Sequence, residues 1–327
     1  MRILMLGAGA IGGYFGARLV QAGGDVTFLV RERRAAQLRD RGLMVKSPHG
    51  DFHTAAPHLV SACDQPPFDV VMLACKAYDL EGAIESVRPA VGPATHVLPL
   101  LNGLAHLDRL AETFGAERVL GGSCGIPATL TPDGEVVQLA PFHRIVFGML
   151  PGTSPSALPK LQALGELYAR TPVDVTVASD MLLELWEKFV GLTTLAAMTC
   201  LMRGTVGDIV ATEDGARLMT ETYDACARAA QAAGHAPREK AMAGFKGMLL
   251  QAGSSLAASM LRDLESGRPT EAEHIVGDML HRCVAAGADP GALRAAWCHL
   301  QVYEGQRAAA AASPASASAS PPAGAKA

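Results

Sequence analysis

Ile3-Leu4-Met5-Leu6-Gly7-Ala8-Gly9-Ala10-Ile11-Gly12 is the stretch that decides the fold. Four apolar residues read as a short strand, and the Gly-x-Gly-x-x-Gly that follows opens a helical stretch near Ile11. Gly7 permits a tight turn, Gly9 lets the backbone approach a pyrophosphate, and Gly12 lets helix and strand pack closely. The N–H groups at the start of that helix, those of Ala10 and Ile11 included, would face the phosphates. A second strand, Val26 to Val30, resumes after the helix, so the motif stands in the context that a dinucleotide site requires.

Working outward, the runs Val70 to Cys75, Val97 to Leu101 and Val119 to Leu120 alternate with helical stretches, the pattern of a parallel sheet with crossover helices. Val136 to Leu139 and Ile145 to Phe147 flank Pro141 and are expected to add antiparallel strands, with Val173 to Val177 the last strand. From Asp180 the period changes to 3.6, through Met181 to Met202, Asp214 to Ala233, Arg238 to Ser266, Thr270 to Ala286 and Pro290 to Arg307. Asp180 is placed to cap the first of these helices, and Gly234, Gly267 and Gly287 to end others. The expected architecture is α/β: a Rossmann-type doubly wound parallel sheet over residues 1–179 and a second, all-helical domain over 180–307. Residues 308–327 hold only Ala, Ser, Pro, Gly and one Lys. With so little apolar surface to offset ordering, they are expected to form a disordered tail.

A chain of 327 residues suits two domains. A net charge of −4 leaves no basic footprint for nucleic acid, and no run of about 18 apolar residues offers a membrane span. The first residues imitate a secretory signal, but Arg18 interrupts the apolar stretch and the strand–glycine–helix reading accounts for more. The seven cysteines (Cys63, Cys75, Cys124, Cys200, Cys226, Cys283 and Cys298) are odd in number and never spaced as CxxC. They argue against disulfides or zinc and for a reducing cytoplasm. The histidines form no HxH or HExxH, so no metal is expected. The sequence does not fix the oligomeric state; a homodimer is among the assemblies it allows.

Cofactor choice is read at the end of the second strand, where an acidic residue would bond the ribose 2′-hydroxyl of NAD. Arg31 stands there, followed by Glu32, Arg33 and Arg34. A guanidinium fork suits a 2′-phosphate, so NADPH is the expected cofactor; the plain alternatives are a solvated helix start, or Glu32 as the ribose acid. Lys76 and Asn102 end two further strands, where ligands of open α/β sheets lie, although Asn-Gly is also an ordinary turn signal. Lys188 enters a nearly all-apolar helical stretch, either snorkelling at a rim or held in a cleft. Glu184 lies four residues earlier, and an ion pair with it on the helix surface is the bland reading.

Residues 1 to about 306 resemble the ketopantoate reductase (2-dehydropantoate 2-reductase) family: GAGAIGG from Gly7, LVR ending at Arg31, CKAYD containing Lys76, LLNG containing Asn102, ELWEK ending at Lys188, and SMLRDLESGRPTE from Ser259 to Glu271. The resemblance implies reduction of 2-dehydropantoate to (R)-pantoate by NADPH, on the way to pantothenate and coenzyme A. It implies Lys188 as general acid, Ser259 and Glu271 in contact with substrate, Asn102 orienting it, and Lys76 beside cofactor and substrate. Burial by Trp186 and Phe189 would lower the pKa of Lys188 and a nearby Glu271 would raise it, a balance the sequence does not set. Glu271 could equally serve the N-terminus of its own helix. Three positions depart from the family: Leu192, Ala196 and Leu256 stand where asparagines are common. The alternatives are therefore the same reaction on a more apolar 2-oxo or 3-oxo acid, a β-hydroxyacid dehydrogenase, which the Ser259 segment opposes, or a non-catalytic NADPH-binding module.

Overall fold

The structure, a computed structural model, describes residues 1–62 and 68–312. It runs β1 (Arg2–Leu6), α1 (Ala10–Gln21), β2 (Asp25–Leu29), α2 (Glu32–Arg41), β3 (Leu43–Lys46), β4 (Phe52–Thr54), β5 (His58–Val60), β6 (Val70–Leu73), α3 (Leu80–Val87), β7 (His96–Pro99) and α4 (Ala105–Phe114). Strands β8 (Leu120–Gly125), β9 (Ala128–Leu130), β10 (Val136–Gln138) and β11 (Arg144–Met149) follow, then α5 (Leu158–Ala169) and β12 (Asp174–Ala178). Beyond Asp180 come α6 (Met181–Met202), α7 (Val206–Val210), α8 (Gly215–Ala232), α9 (Glu239–Leu249), α10 (Ser259–Glu265), α11 (Asp278–Ala285) and α12 (Ala292–Ala312).

Five strands form a parallel sheet in the order β5-β2-β1-β6-β7. Tyr14 and Phe15 of α1 with Leu161 and Tyr168 of α5 cover one face, and Leu80 and Ile84 of α3 with Leu110 and Phe114 of α4 cover the other. This is the doubly wound arrangement. The glycine turn lies at the carboxyl end of β1, between β2 and β6. Gly7 has φ +91°, and a Cβ on Gly12 would stand 2.1 Å from the Gly7 carbonyl oxygen and 2.9 Å from Ala74 Cβ. Gly12 is thus where α1 meets its turn without a side chain between them.

The two expected antiparallel strands are each mixed. β10 is antiparallel to β9 but parallel to β3, and β11 is antiparallel to β8 but parallel to β12. The expected helix Arg238 to Ser266 is broken after Leu249. Gly253 takes φ +68°, and the carbonyls of Ser254 and Leu256 accept from Gly207 and Val206, so the segment pairs with α7 instead of closing helical bonds. The stretch from Thr270 begins with a π-helical turn at Glu273–Gly277. α12 continues to Ala312, five residues beyond the expected helix end at 307, because an alanine run has the highest helix propensity. Residues 313–327 of the expected tail lie outside the described residues, as does Cys63.

Asp180 caps α6, its carboxylate accepting from Leu183 N at 3.1 Å. This 22-residue helix, about 33 Å long, is buried over most of its length in the core that it shares with α8, α10, α11 and α12. A helix apolar all round is the one a domain buries at its centre. Among the described residues no helix is long and apolar enough to cross a membrane.

Gly12→Ala should therefore destabilise the fold by roughly 1–3 kcal/mol, the usual cost of overpacking. Gly9→Ala, whose Cβ would meet nothing within 4 Å, should unfold within about 0.5 kcal/mol of wild type. Urea unfolding of both variants checks this; equal losses would contradict the packing role given to Gly12.

Candidate active site

The carboxyl ends of β1, β6 and β7 face the helical domain, and four of the sequence-selected residues meet there. Lys188, on the second turn of α6, donates to Asn102 Oδ1 at 3.0 Å and to the Cys124 carbonyl at 2.7 Å. An ammonium has three donors, so one N–H is left for another acceptor. The surface ion pair with Glu184 is not formed: Glu184 and Glu187 both bind Arg238 instead. Burial lowers the pKa of Lys188, opposed by Cys124 and Glu271, and burial wins. His106, sealed in the core beside this lysine, is pushed down to about 3 by burial, then by His274 and Lys188, and stays neutral.

Asn102 reaches Lys188 from the loop after β7. That loop turns at Gly103, with φ +82°, where a Cβ would lie 2.6 Å from the His274 carbonyl oxygen. His274 belongs to the π-helical turn, so the widened turn and Gly103 touch across the domain junction. π-turns are frequent at functional sites.

Lys76, three residues beyond β6, donates to Glu271 Oε2 at 3.1 Å and Asp263 Oδ2 at 3.2 Å. Glu271 is 6% exposed, and its other oxygen accepts from Ala77 N at 3.0 Å. Its side chain is therefore spent across the domain junction and not on its own helix. Burial works against the charge of Lys76, but Glu271 and Asp263 outweigh it and hold its pKa above the ordinary value. Ser259 is exposed at the start of α10, one turn before Asp263 on the same helix face.

The glycine turn fits a dinucleotide. Space is open beside Gly9, and α1 has no side-chain cap to occupy its first N–H groups. Arg31 flanks this turn, exposed and paired with Asp79 at 3.0 Å. Glu32 is bound to Arg39, and Arg34 clamps Ala8 O and Gly134 O, so neither is free at the ribose end. A cavity of about 660 Å³ opens beside Lys188 between β8, β11 and α9, with Phe142, Val146, Phe245 and Met248 in its walls beside the charged Arg144, Glu184, Glu187, Arg238 and Lys240. Leu192 and Ala196 lie one and two turns beyond Lys188 on the same helix face. Leu192 and Leu256 are half-buried and Ala196 is buried.

Sequence reading did not single out Asp263, Asp79 or the Cys124 carbonyl. Asp263 follows Ser259 by one turn and Asp79 follows Lys76 by three residues, so spacing could have raised both; a backbone carbonyl leaves no signal. Among the described residues no group of three or more His, Cys, Asp or Glu side chains is placed to hold a metal ion.

Comparison with known proteins accords with this geometry. The profile described as Ketopantoate reductase PanE/ApbA matches residues 3–152, and that of the Ketopantoate reductase PanE/ApbA C terminal matches residues 180–304. The uncharacterized oxidoreductase YkpB of Bacillus subtilis is 33% identical over 311 residues, covering 94% of this chain and 100% of its own length. A 2-dehydropantoate 2-reductase of Nostoc sp. is 25% identical, covering 92% and 95%. The crystal structure of 2-dehydropantoate 2-reductase from Geobacter metallireducens superposes with a TM-score of 0.83 at 28% identity, covering 92% of this chain and 99% of that one. D-mandelate dehydrogenase, solved with NADH and anilino(oxo)acetate, shares the fold at TM-score 0.82 and 18% identity, covering 94% and 100%. On the two profile matches, which together span most of its length, the chain belongs to the ketopantoate reductase family of oxidoreductases.

Proposed function

We propose that this protein is a cytoplasmic NADPH-dependent reductase of 2-oxo acids, that 2-dehydropantoate is its first candidate substrate, reduced to (R)-pantoate for pantothenate and coenzyme A synthesis, and that Lys188 is its general acid. The observation that carries the proposal is the arrangement of Lys188: a half-buried ammonium held by two neutral acceptors with one donor uncommitted.

The backbone N–H groups of Ala10, Ile11 and Gly12 would hold the pyrophosphate and Arg31 the 2′-phosphate of NADPH. When bound, the cofactor supplies a hydride for the carbonyl carbon of the substrate. Lys188 stabilises the negative charge that develops on the carbonyl oxygen and gives it a proton from Nζ. Asn102 fixes the direction of that Nζ, so the acid needs no reorganisation when charge appears. Glu271, bound to Lys76 and Ala77 N, ties the helical domain to the end of β6, and Ser259, exposed at the start of α10, would bond the polar end of a substrate. Trp186 and Phe189, both buried, exclude water from the base of Lys188.

A second reading, reduction of a more apolar 2-oxo acid, is favoured by Leu192, Ala196 and Leu256, which stand where the family resemblance implies asparagines. A hydroxyl-reading site discriminates steeply against an analogue that lacks the hydroxyl, whereas an apolar wall does not.

Three outcomes follow. Lys188→Ala should lower kcat by roughly 10²- to 10⁴-fold, the usual scale of general acid catalysis, with NADPH affinity little changed; a retained kcat would remove Lys188 from the chemistry. In a pH profile, kcat/KM for reduction should fall with rising pH as Lys188 loses its proton, at an apparent pKa below the ordinary lysine value. Because Glu271 raises that pKa, Glu271→Gln should move the limb to lower pH, and a shift to higher pH would contradict the assignment. Finally, the ratio of kcat/KM for 2-dehydropantoate to that for 3,3-dimethyl-2-oxobutanoate separates the two readings. A preference of about 10⁴ or more indicates a dedicated hydroxyl-reading site, and a ratio within about tenfold indicates the apolar one.

A further inference from the structure

Arg31 follows β2 and Asp79 ends the short turn after β6, so they approach from the two strands that flank β1. Their ion pair, 3.0 Å long, bridges the carboxyl end of β1 beside the glycine turn. Stability does not account for it. The side chains are 84% and 39% exposed, and exposed pairs contribute little. Asp79 also occupies the N-cap position of α3, where an aspartate ordinarily bonds its own helix. It makes no cap bond and reaches Arg31 instead. Glu32, the other carboxylate near Arg31 in sequence, is held by Arg39 at 2.7 Å. Lys76, three residues before Asp79, is held by Glu271 and Asp263.

We infer that Arg31 and Asp79 together select the cofactor by its ribose: Arg31 binds a 2′-phosphate, Asp79 accepts a hydrogen bond from a free 2′-hydroxyl, and the site therefore takes NADH as well as NADPH. This deepens the reading of the glycine turn as a nicotinamide dinucleotide site and rests on it. A 2′-phosphate that reaches Arg31 meets a carboxylate already on the same guanidinium. The five donors of that guanidinium can serve both anions, but the anions repel each other at this range. A 2′-hydroxyl meets the opposite situation. It is a donor, Asp79 is an acceptor, and Arg31 neutralises the carboxylate that receives it. Asp79 thus lowers the preference for NADPH that Arg31 alone would impose, and supplies from β6 the acid that a dinucleotide site specific for NAD carries at the end of β2.

The test is equilibrium titration of the full-length protein with NADPH and with NADH, followed by nucleotide fluorescence, for wild type, Asp79→Asn and Arg31→Met. Wild type should bind both. Asp79→Asn removes the charge and keeps the shape, and should tighten NADPH while weakening NADH. Each change should be about three- to tenfold, the usual net effect of one hydrogen bond in a solvated site. Arg31→Met should move the ratio of the two dissociation constants the other way. Asp79→Ala, read beside Asp79→Asn, should weaken NADH at least as much, and melting curves of all three variants should match wild type, since the pair is exposed. An NADPH to NADH ratio within twofold of wild type in Asp79→Asn, or undiminished NADH binding, would reduce Asp79 to a surface partner of Arg31 and overturn the inference. Failure of wild type to bind either dinucleotide would overturn the cofactor reading itself, and that result is visible before any substitution is made.

Discussion

A half-buried lysine ammonium with no carboxylate in hydrogen-bonding contact is the constraint around which the site is arranged. Burial disfavours the charged form, so neutral acceptors must be brought to Lys188 from elsewhere in the chain. They are Asn102, from the loop after β7, and the Cys124 carbonyl, near the end of β8. The sheets carrying them meet at a parallel bridge between Val97 and Val119. α6 must also lie close enough for Lys188 to span the gap. Gly121 on β8 and Gly148 on β11 permit this, because Met181 sits where a side chain on either would stand.

Lys188 and Lys76 are shifted in opposite directions within one cleft. Lys76 has two carboxylates within 3.2 Å and is held protonated. Lys188 has amide and peptide oxygens only, and its pKa falls. Groups whose environments push their proton affinities apart take different roles. A lysine that gives up its proton readily serves as an acid; one locked between carboxylates serves as a fixed charge and a tie. Glu271 links the two, fastening Lys76 directly while partly offsetting the burial of Lys188 from farther away.

Those features that rest on local spacing were legible in the sequence: the glycine turn, the alternation that makes the parallel sheet, and the 3.6 period that starts at α6 with its Asp180 cap. Gly234, Gly267 and Gly287 also take the positive φ expected of helix ends. Features set by tertiary partners were not. The segment 250–258 has helical periodicity, but its backbone pairs with Val206 and Gly207. β3, β4, β5 and β9 have three or four residues each, too few for a period to register. In the site, Lys188 and Glu184 sit at the spacing of a helix ion pair, and only the position of α9 shows that Arg238 takes Glu184. Lys76 was marked by its place at a strand end, whereas its partner Asp263 lies 187 residues away and no local rule connects them.

On the function proposed above, α6 would also act as a ruler for the substrate. Leu192 and Ala196 follow Lys188 by about 6 and 12 Å along the axis, at 1.5 Å per residue. The part of a substrate that extends from the reacting carbonyl along this face would meet hydrocarbon at both steps, and Leu256, from the segment before α10, packs against the same core as Leu192. Binding there grows with the apolar area removed from water, about 25 cal/mol per Å². One methylene more or less changes the preference by only about 10- to 200-fold. On the function proposed above, the acid and its orienting amide would fix the reaction, and the length and shape of the apolar wall, more than any hydrogen bond along it, would decide which oxo acids enter.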